Sequence, residues 1–431
     1  MRAPVPSSSS SCAAATTLLV ASFLSWATAY TATTTTPGPP PPRGLGIPST
    51  VSLGRATTCG RSRPPAHPSF ASLSTSMSFS SSSSSSPFHV DESSPPDDSP
   101  TDVDGRDAPG RGRRRRIAIL LCPAQFCVPA DYAGLLDDIR ARARDDDDSE
   151  IDVVASRVAP LPRTEWIKVA RQLPTKDFLE ANLNARATLG WYFDAMERAL
   201  SELFAEASGG GGDDFDLCLI GHSIGGWVAR AYLGGLSGSS TAVYRLAKTR
   251  LTSLVTLGTP HSSPRTALVD QTRGLLREVE STLGCTSKSL SDSGRVGIAC
   301  VGSSGIGGKI LTFEAEELIA AASYLPLIGR IGPDVRGDGI VPTDLAFMEH
   351  PARRVVIDGC AITGSAVRHA HVLPTPWNLL DGNAPSWSLP EGIIWYGSPG
   401  VLDFVKRGWL INDITSVVEF FLSIEFTLTL E

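Results

Sequence analysis

"DLCLIGHSIGGWVARAYLGG", residues 216–235, decides how the chain is read. Four apolar residues run into a serine set between glycines. The residues that follow place Ile224, Trp227, Val228 and Ala231 at helical spacing. Gly221-His222-Ser223-Ile224-Gly225 is a G-x-S-x-G, a pattern that arises often by chance; here a strand precedes it and a helix follows, which is the context a nucleophile elbow requires. Such a turn predicts a strained backbone at Ser223 and tiny residues at 221 and 225, so that strand and helix can approach. The hydroxyl then projects at the carboxyl end of the strand, where open sheets of this kind bind ligands. Ser223 is read as a nucleophile, against the plainer reading of a small residue at a strand–helix junction.

Outward from this stretch, strands alternate with helical patterns. Residues 117–126, "IAILLCPAQF", form a continuous apolar run suited to a strand buried on both faces. Further strands are expected at 151–159, 215–220, 251–258, 295–302 and 353–359, with helices around 131–143 and over 188–207, the latter stopped by the glycines at 209–212. The expected class is α/β, a mostly parallel central sheet with helices on both faces. The domain is placed at residues 117–406. Residues 91–116 are read as a linker whose basic end, "RGRRRR", is a solvated junction. The apolar tail at 407–431 is interrupted by Asp413, Glu419 and Glu425 and does not suit a membrane span; it packs on the body or lies against a membrane surface.

A serine hydroxyl attacks poorly unless a base takes its proton, so a histidine and an orienting carboxylate are required. In one known arrangement the order along the chain is serine, acid, histidine. Asp338, in "VRGDGIVPTD", sits between glycines on a loop and supplies the acid, with Asp334 as the weaker substitute. For the base, His261 comes too early, His350 precedes the last strand and His222 adjoins the nucleophile in a packing role. His369 and His371 remain, on the loop after 353–359; His369 is favoured because it comes first after Val367-Arg368, and His371 is the alternative. The oxyanion needs two backbone N–H donors. Ile224 offers one, and Gln125, with Ala124 and Phe126 beside it, offers the other.

Beyond the elbow, "LVTLGTPH" (254–261), "DQTRGLL" (270–276), "GDGIVP" (337–342) and "IWYGSPGVLDFV" (394–405) follow in order. Together these motifs resemble the plastid-directed, lipase-like α/β-hydrolases of plants and algae over nearly all of residues 117–406. The resemblance implies an α/β-hydrolase fold, Ser223 and Asp338 in family positions, and a carboxylic ester, a lipid ester foremost, as substrate. Two departures are visible: "CAITGSAVR" lengthens the loop before the histidine, and Pro123-Ala124 stands where relatives tend to have Pro-Gly. Three functions fit these residues: ester hydrolysis through an acyl-enzyme, acyl transfer to an alcohol by the same triad, or a binding protein that keeps the fold without activity. Residues 265–283 are expected either to line an acyl pocket with Leu268, Leu275, Leu276 and Val279 or to pack a helix onto the body.

The composition of the N-terminus sets it apart. Residues 1–90 hold no Asp, Glu or Lys, only five arginines amid Ser, Thr and Pro, and cannot bury enough apolar surface to order themselves. A short apolar core ending in Ala-Thr-Ala reads as a signal peptide over about residues 1–29, and the acid-free stretch after it as a transit peptide. The tandem resembles the two-part plastid targeting sequences of algae with secondary plastids; secretion is the alternative. Of 38 basic residues, 33 remain beyond this leader against 45 acidic ones, which argues against nucleic acid as a partner. The eight cysteines form no framework, no zinc spacing appears, and no cofactor or metal is implied. Cys285 and Cys300 could pair in an oxidising lumen or stay free.

Overall fold

Apolar residues on consecutive positions, rather than alternate ones, put the first strand in the middle of a sheet. The computed structural model describes residues 114–145, 151–209, 214–268, 270–360, 362–373 and 381–401. The leader, nearly all of the linker and the tail read at 407–431 lie outside the described residues.

The strands are β1 (Arg115–Cys122), β2 (Ile151–Val158), β3 (Asp216–His222), β4 (Leu251–Leu257), β5 (Gly297–Ser303), β6 (Ile306–Gly308), β7 (Gly332–Gly337), β8 (Arg353–Ile357) and the short antiparallel pair β9 (Val372–Leu373) and β10 (Trp387–Ser388). Six of them form one all-parallel sheet in the order β2-β1-β3-β4-β5-β8, so the α/β class expected from the alternating pattern is the one found. β1 begins at Arg115, two residues before the apolar run. The basic junction is therefore partly structural: Arg115 pairs with Asp216 across the sheet, and Arg116 donates to the carbonyl of Ala207 at 2.8 Å.

Both faces of the sheet are covered. On one, Leu120, Cys122, Leu217 and Leu219 pack against α2 (Ala185–Gly209), through Tyr192, Met196 and Leu200, and against α3 (Ile224–Leu233). On the other, Ile119, Leu121, Ile220 and Val255 meet Leu135 and Ile139 of α1 (Ala133–Asp145), together with Trp395 and Tyr396 from the C-terminal segment. The buried positions of α2 recur every three or four residues, which is why it lies flat on the sheet. Between β5 and β8 the chain forms a small subassembly: β6 pairs antiparallel with β7, and α6 (Ala315–Ile328) closes over them with Tyr324 at its centre. α4 (Ala242–Arg250) leads into β4.

Within residues 265–283 the α-helix among the described residues is α5 (Leu275–Ser281), and its Leu275, Leu276 and Val279 join the main core. These three pack onto the body, whereas Leu268 is exposed. Asp270, in the "DQTRGLL" motif, ties the turn before this helix by accepting from Gly274 N–H at 2.9 Å and pairing with Arg277 at 3.0 Å.

A buried ion pair fixes the last described segment. Arg163, without exposed surface, faces Asp131 at 3.6 Å and donates to Ser386 Oγ at 2.7 Å and to the carbonyls of Asp381 and Ala384. Asp131 accepts from both the N–H and the hydroxyl of Ser386, at 2.6 and 2.8 Å, and from Val128 N–H at 2.9 Å. Residues 381–386 are thereby held against the loop that leaves β1. No helix among the described residues is long and apolar enough to cross a membrane.

Candidate active site

The chain leaves β1 for β2 on one side and returns to β3 on the other, so the strand order reverses between β1 and β3. Crevices at such switch points are where open parallel sheets hold ligands. Ser223 stands at the end of β3, with φ 54° and ψ −127°, a left-handed conformation rare for a residue with a side chain. Its N–H donates to Leu257 O at 2.9 Å and its carbonyl accepts from Thr259 Oγ1 at 2.8 Å, which holds the strain in place.

The glycines around it are steric necessities. A Cβ on Gly221 would come within 2.3 Å of Gly226 Cα, and one on Gly225 within 2.1 Å of the Cys122 carbonyl. Gly226, which the five-letter motif does not include, would meet Thr259 Oγ1 at 2.1 Å. The contact at Gly225 also shows that the start of α3 lies directly on the loop leaving β1.

Asp338 follows β7 and is buried. Its Oδ1 accepts from the N–H groups of Ile340 and Val341 at 2.9 and 2.7 Å; its Oδ2 meets His369 Nδ1 at 2.8 Å and accepts from Tyr396 Oη at 2.9 Å. Burial alone would raise this carboxyl. The adjacent His369 and the N–H donors of Val341 and Ile340 outweigh it and hold the group below its usual range. Asp334 is exposed and paired with Arg330, so the substitute acid is not at the site.

His369 is the histidine brought to the acid. Its N–H also donates to the Asp338 carbonyl at 2.9 Å, and its Nδ1 lies 3.1 Å from where a Cβ on Gly258 would stand. Gly258 directly follows the residue that accepts from Ser223, so the imidazole sits at the ends of β3 and β4. His371 does not reach Asp338: its ring stacks on Trp395 at 4.0 Å, and burial lowers its affinity for a proton. Of the two candidates, the favoured His369 and not the alternative His371 is the one that meets Asp338. Among the described residues no hydrogen bond joins Ser223 Oγ to another group, His369 Nε2 included. In unliganded sites this contact is often long and tightens only with substrate bound.

The loop leaving β1 carries the second oxyanion candidate. Ala124 N–H is taken by Tyr132 Oη at 2.8 Å, whereas neither Gln125 N–H nor Ile224 N–H meets an acceptor among the described residues. Phe126 adopts φ 61°, turning the loop at this point. His222 is buried, as its packing role requires, but it is also polar in use: Tyr132 Oη lies 2.8 Å from Nδ1, and Nε2 lies 2.8 Å from the carbonyl of His369. Burial, then the neighbouring His369, push its pKa down to about 3. Sequence reasoning missed Tyr132 and Tyr396, since nothing local marks a tyrosine whose hydroxyl meets a group far along the chain; "WYGS" is the one signal that could have pointed to Tyr396.

His261 is buried on the other face, with Thr256 Oγ1 at 3.0 Å and Cys300 Sγ at 3.7 Å from its Nε2. Cys285 and Cys300 are both free. Among the described residues no group of His, Cys, Asp or Glu is arranged to hold a metal ion.

No protein-family model and no curated protein matches this chain. The likeness to plastid-directed α/β-hydrolases therefore rests on the sequence motifs alone.

Proposed function

We propose that the chain is a serine hydrolase of the α/β-hydrolase kind that cleaves carboxylic esters through an acyl-enzyme. The observation that carries this reading is the buried Asp338–His369 pair against Gly258 at the end of β4, with a strained serine following the neighbouring β3 at the switch point of the sheet. Asp338 accepts from Nδ1–H, which leaves His369 Nε2 as the proton acceptor. In the reaction Ser223 Oγ attacks the ester carbonyl carbon while its proton passes to Nε2. The N–H groups of Ile224 and Gln125 hold the oxyanion. Collapse expels the alcohol, which takes the proton back from the imidazolium. Water then attacks the acyl-enzyme, again losing a proton to His369, and the carboxylic acid leaves with Ser223 restored.

A lipid ester as substrate and a plastid destination are proposed on the motif resemblance and the two-part leader. The test is turnover of p-nitrophenyl esters and plastid lipids by the full chain beside its Ser223→Ala variant, with fluorophosphonate labelling of both. Activity and labelling that vanish together in the variant support the reading. A binding protein with this fold is the second reading, favoured by the absence of a Ser223–His369 hydrogen bond; a wild-type chain that neither turns over ester nor takes up the probe would establish it instead.

A further inference from the structure

One line of hydrogen bonds at the site has a direction that the atoms themselves determine. The carbonyl of His369 can only accept, so His222 Nε2 carries the proton in that 2.8 Å contact. Buried and neutral, His222 then has no proton on Nδ1, which must accept from Tyr132 Oη at 2.8 Å. Tyr132 Oη in turn accepts from Ala124 N–H at 2.8 Å. Every donor points the same way, from the loop beside the oxyanion donor Gln125 to the backbone of the base. Bonds aligned in this manner polarise and strengthen one another.

We propose that Tyr132 and His222 form a positioning relay that sets the oxyanion loop and the base His369 relative to each other, a role that rests on the serine-hydrolase reading. Neither residue touches the reacting atoms. Ala124 is fixed one peptide before the Gln125 N–H, and His369 is fixed through its own carbonyl, with its ring centroid 5.1 Å from that of His222. Asp338 orients the base from one side; the relay holds its backbone from the other. The middle residue of Gly221-His222-Ser223 thus links two loops that are 245 residues apart in the chain at Ala124 and His369. A merely packing aromatic at 222 would need no acceptor and no donor, yet this ring uses both nitrogens.

The full chain tests this with Tyr132→Phe, His222→Leu and His222→Gln, the last keeping one donor and one acceptor at the end of the side chain. Tyr132→Phe and His222→Leu should each lower kcat by roughly 10-fold, as expected when donors at a developing charge lose their preorganisation, with KM within about two-fold. The double variant should be no worse than His222→Leu alone, because the two act as one unit. His222→Gln should recover most of the loss. Melting temperatures measured alongside separate misfolding from misplacement: Tyr132→Phe keeps the ring and should remain folded at the assay temperature. Full kcat in Tyr132→Phe and His222→Leu, or losses that multiply in the double variant, would overturn the relay while wild-type turnover and its loss in Ser223→Ala leave the hydrolase reading standing. A wild-type chain without turnover removes that reading, and the relay's role falls with it.

Discussion

At Ser223 the backbone occupies a region that a residue with a Cβ enters at a cost of about 1–3 kcal/mol. Ser223→Gly should therefore raise the melting temperature relative to Ser223→Ala, by about 1 kcal/mol in unfolding free energy after the added freedom of the unfolded chain is counted, while both variants are inactive. Equal stabilities of the two, measured by urea unfolding, would mean the turn stores no strain. The histidines separate just as cleanly. His369→Ala should abolish ester turnover, Asp338→Asn should reduce it on the order of a thousandfold or more, and His371→Ala should stay within a few-fold of wild type. The turns that present Ser223 and Asp338 could be read from the chain because each sits in a short motif whose glycines report the local geometry. The choice between His369 and His371 could not. They lie on one loop two residues apart, and only the path of that loop past Asp338 decides which ring arrives. Tyr396 and Tyr132 were hidden for the same reason, their partners being distant in sequence.

Among elements, the strand–helix junction is the one with least room. Gly225→Ala would drive a methyl into the Cys122 carbonyl, and neither backbone can yield without moving β1 or α3. A loss on the order of 3 kcal/mol is expected from denaturant unfolding. Gly190, inside α2, has open space where a Cβ would go, and Gly190→Ala should instead stabilise by about 0.5–1 kcal/mol through helix propensity. A stable Gly225→Ala would show that the loop and helix are further apart than 2.1 Å implies. The sheet itself was legible because β1 and β3 are apolar on consecutive positions, a signature of burial on both faces. What periodicity could not show was the start of β1, where Arg115 and Arg116 read as a solvated run although the sheet gives them Asp216 and the end of α2 as partners. Nor could it divide residues 265–283: apolar spacing looks alike whether a helix lines a cavity or meets a core.

For the whole molecule, two buried histidines shape the response to acid. Burial first, and then nearby positive charge, lowers His222 to about 3 and His261 well below 6.5. An unfolded chain takes up protons at 6.5 that the folded one refuses. Stability should thus rise with pH between about 3 and 6.5 for His222 and be complete above that window. Between pH 7 and pH 5 the loss from His222 alone is on the order of 2 kcal/mol. Urea unfolding at both values should show it, and His222→Gln should flatten the dependence by about one proton. Asp338, held below its usual range, adds its own loss only at lower pH, as the solution passes down through its folded pKa. The Arg163–Asp131 pair has a further consequence for anyone shortening the protein. The six-stranded sheet takes its last strand by Ile357, but the chain beyond it is part of the core. A chain ending before Asp381 would strip from Arg163 and Asp131 the hydroxyl, N–H and carbonyls that complete their shells, and would take Trp395 and Tyr396 off the face of the sheet. A defect of that kind costs on the order of 3–5 kcal/mol, a large share of what keeps an ordinary domain folded. The minimal stable fragment is thus set by what residues 381–396 cover and satisfy, not by the last strand of the six-stranded sheet.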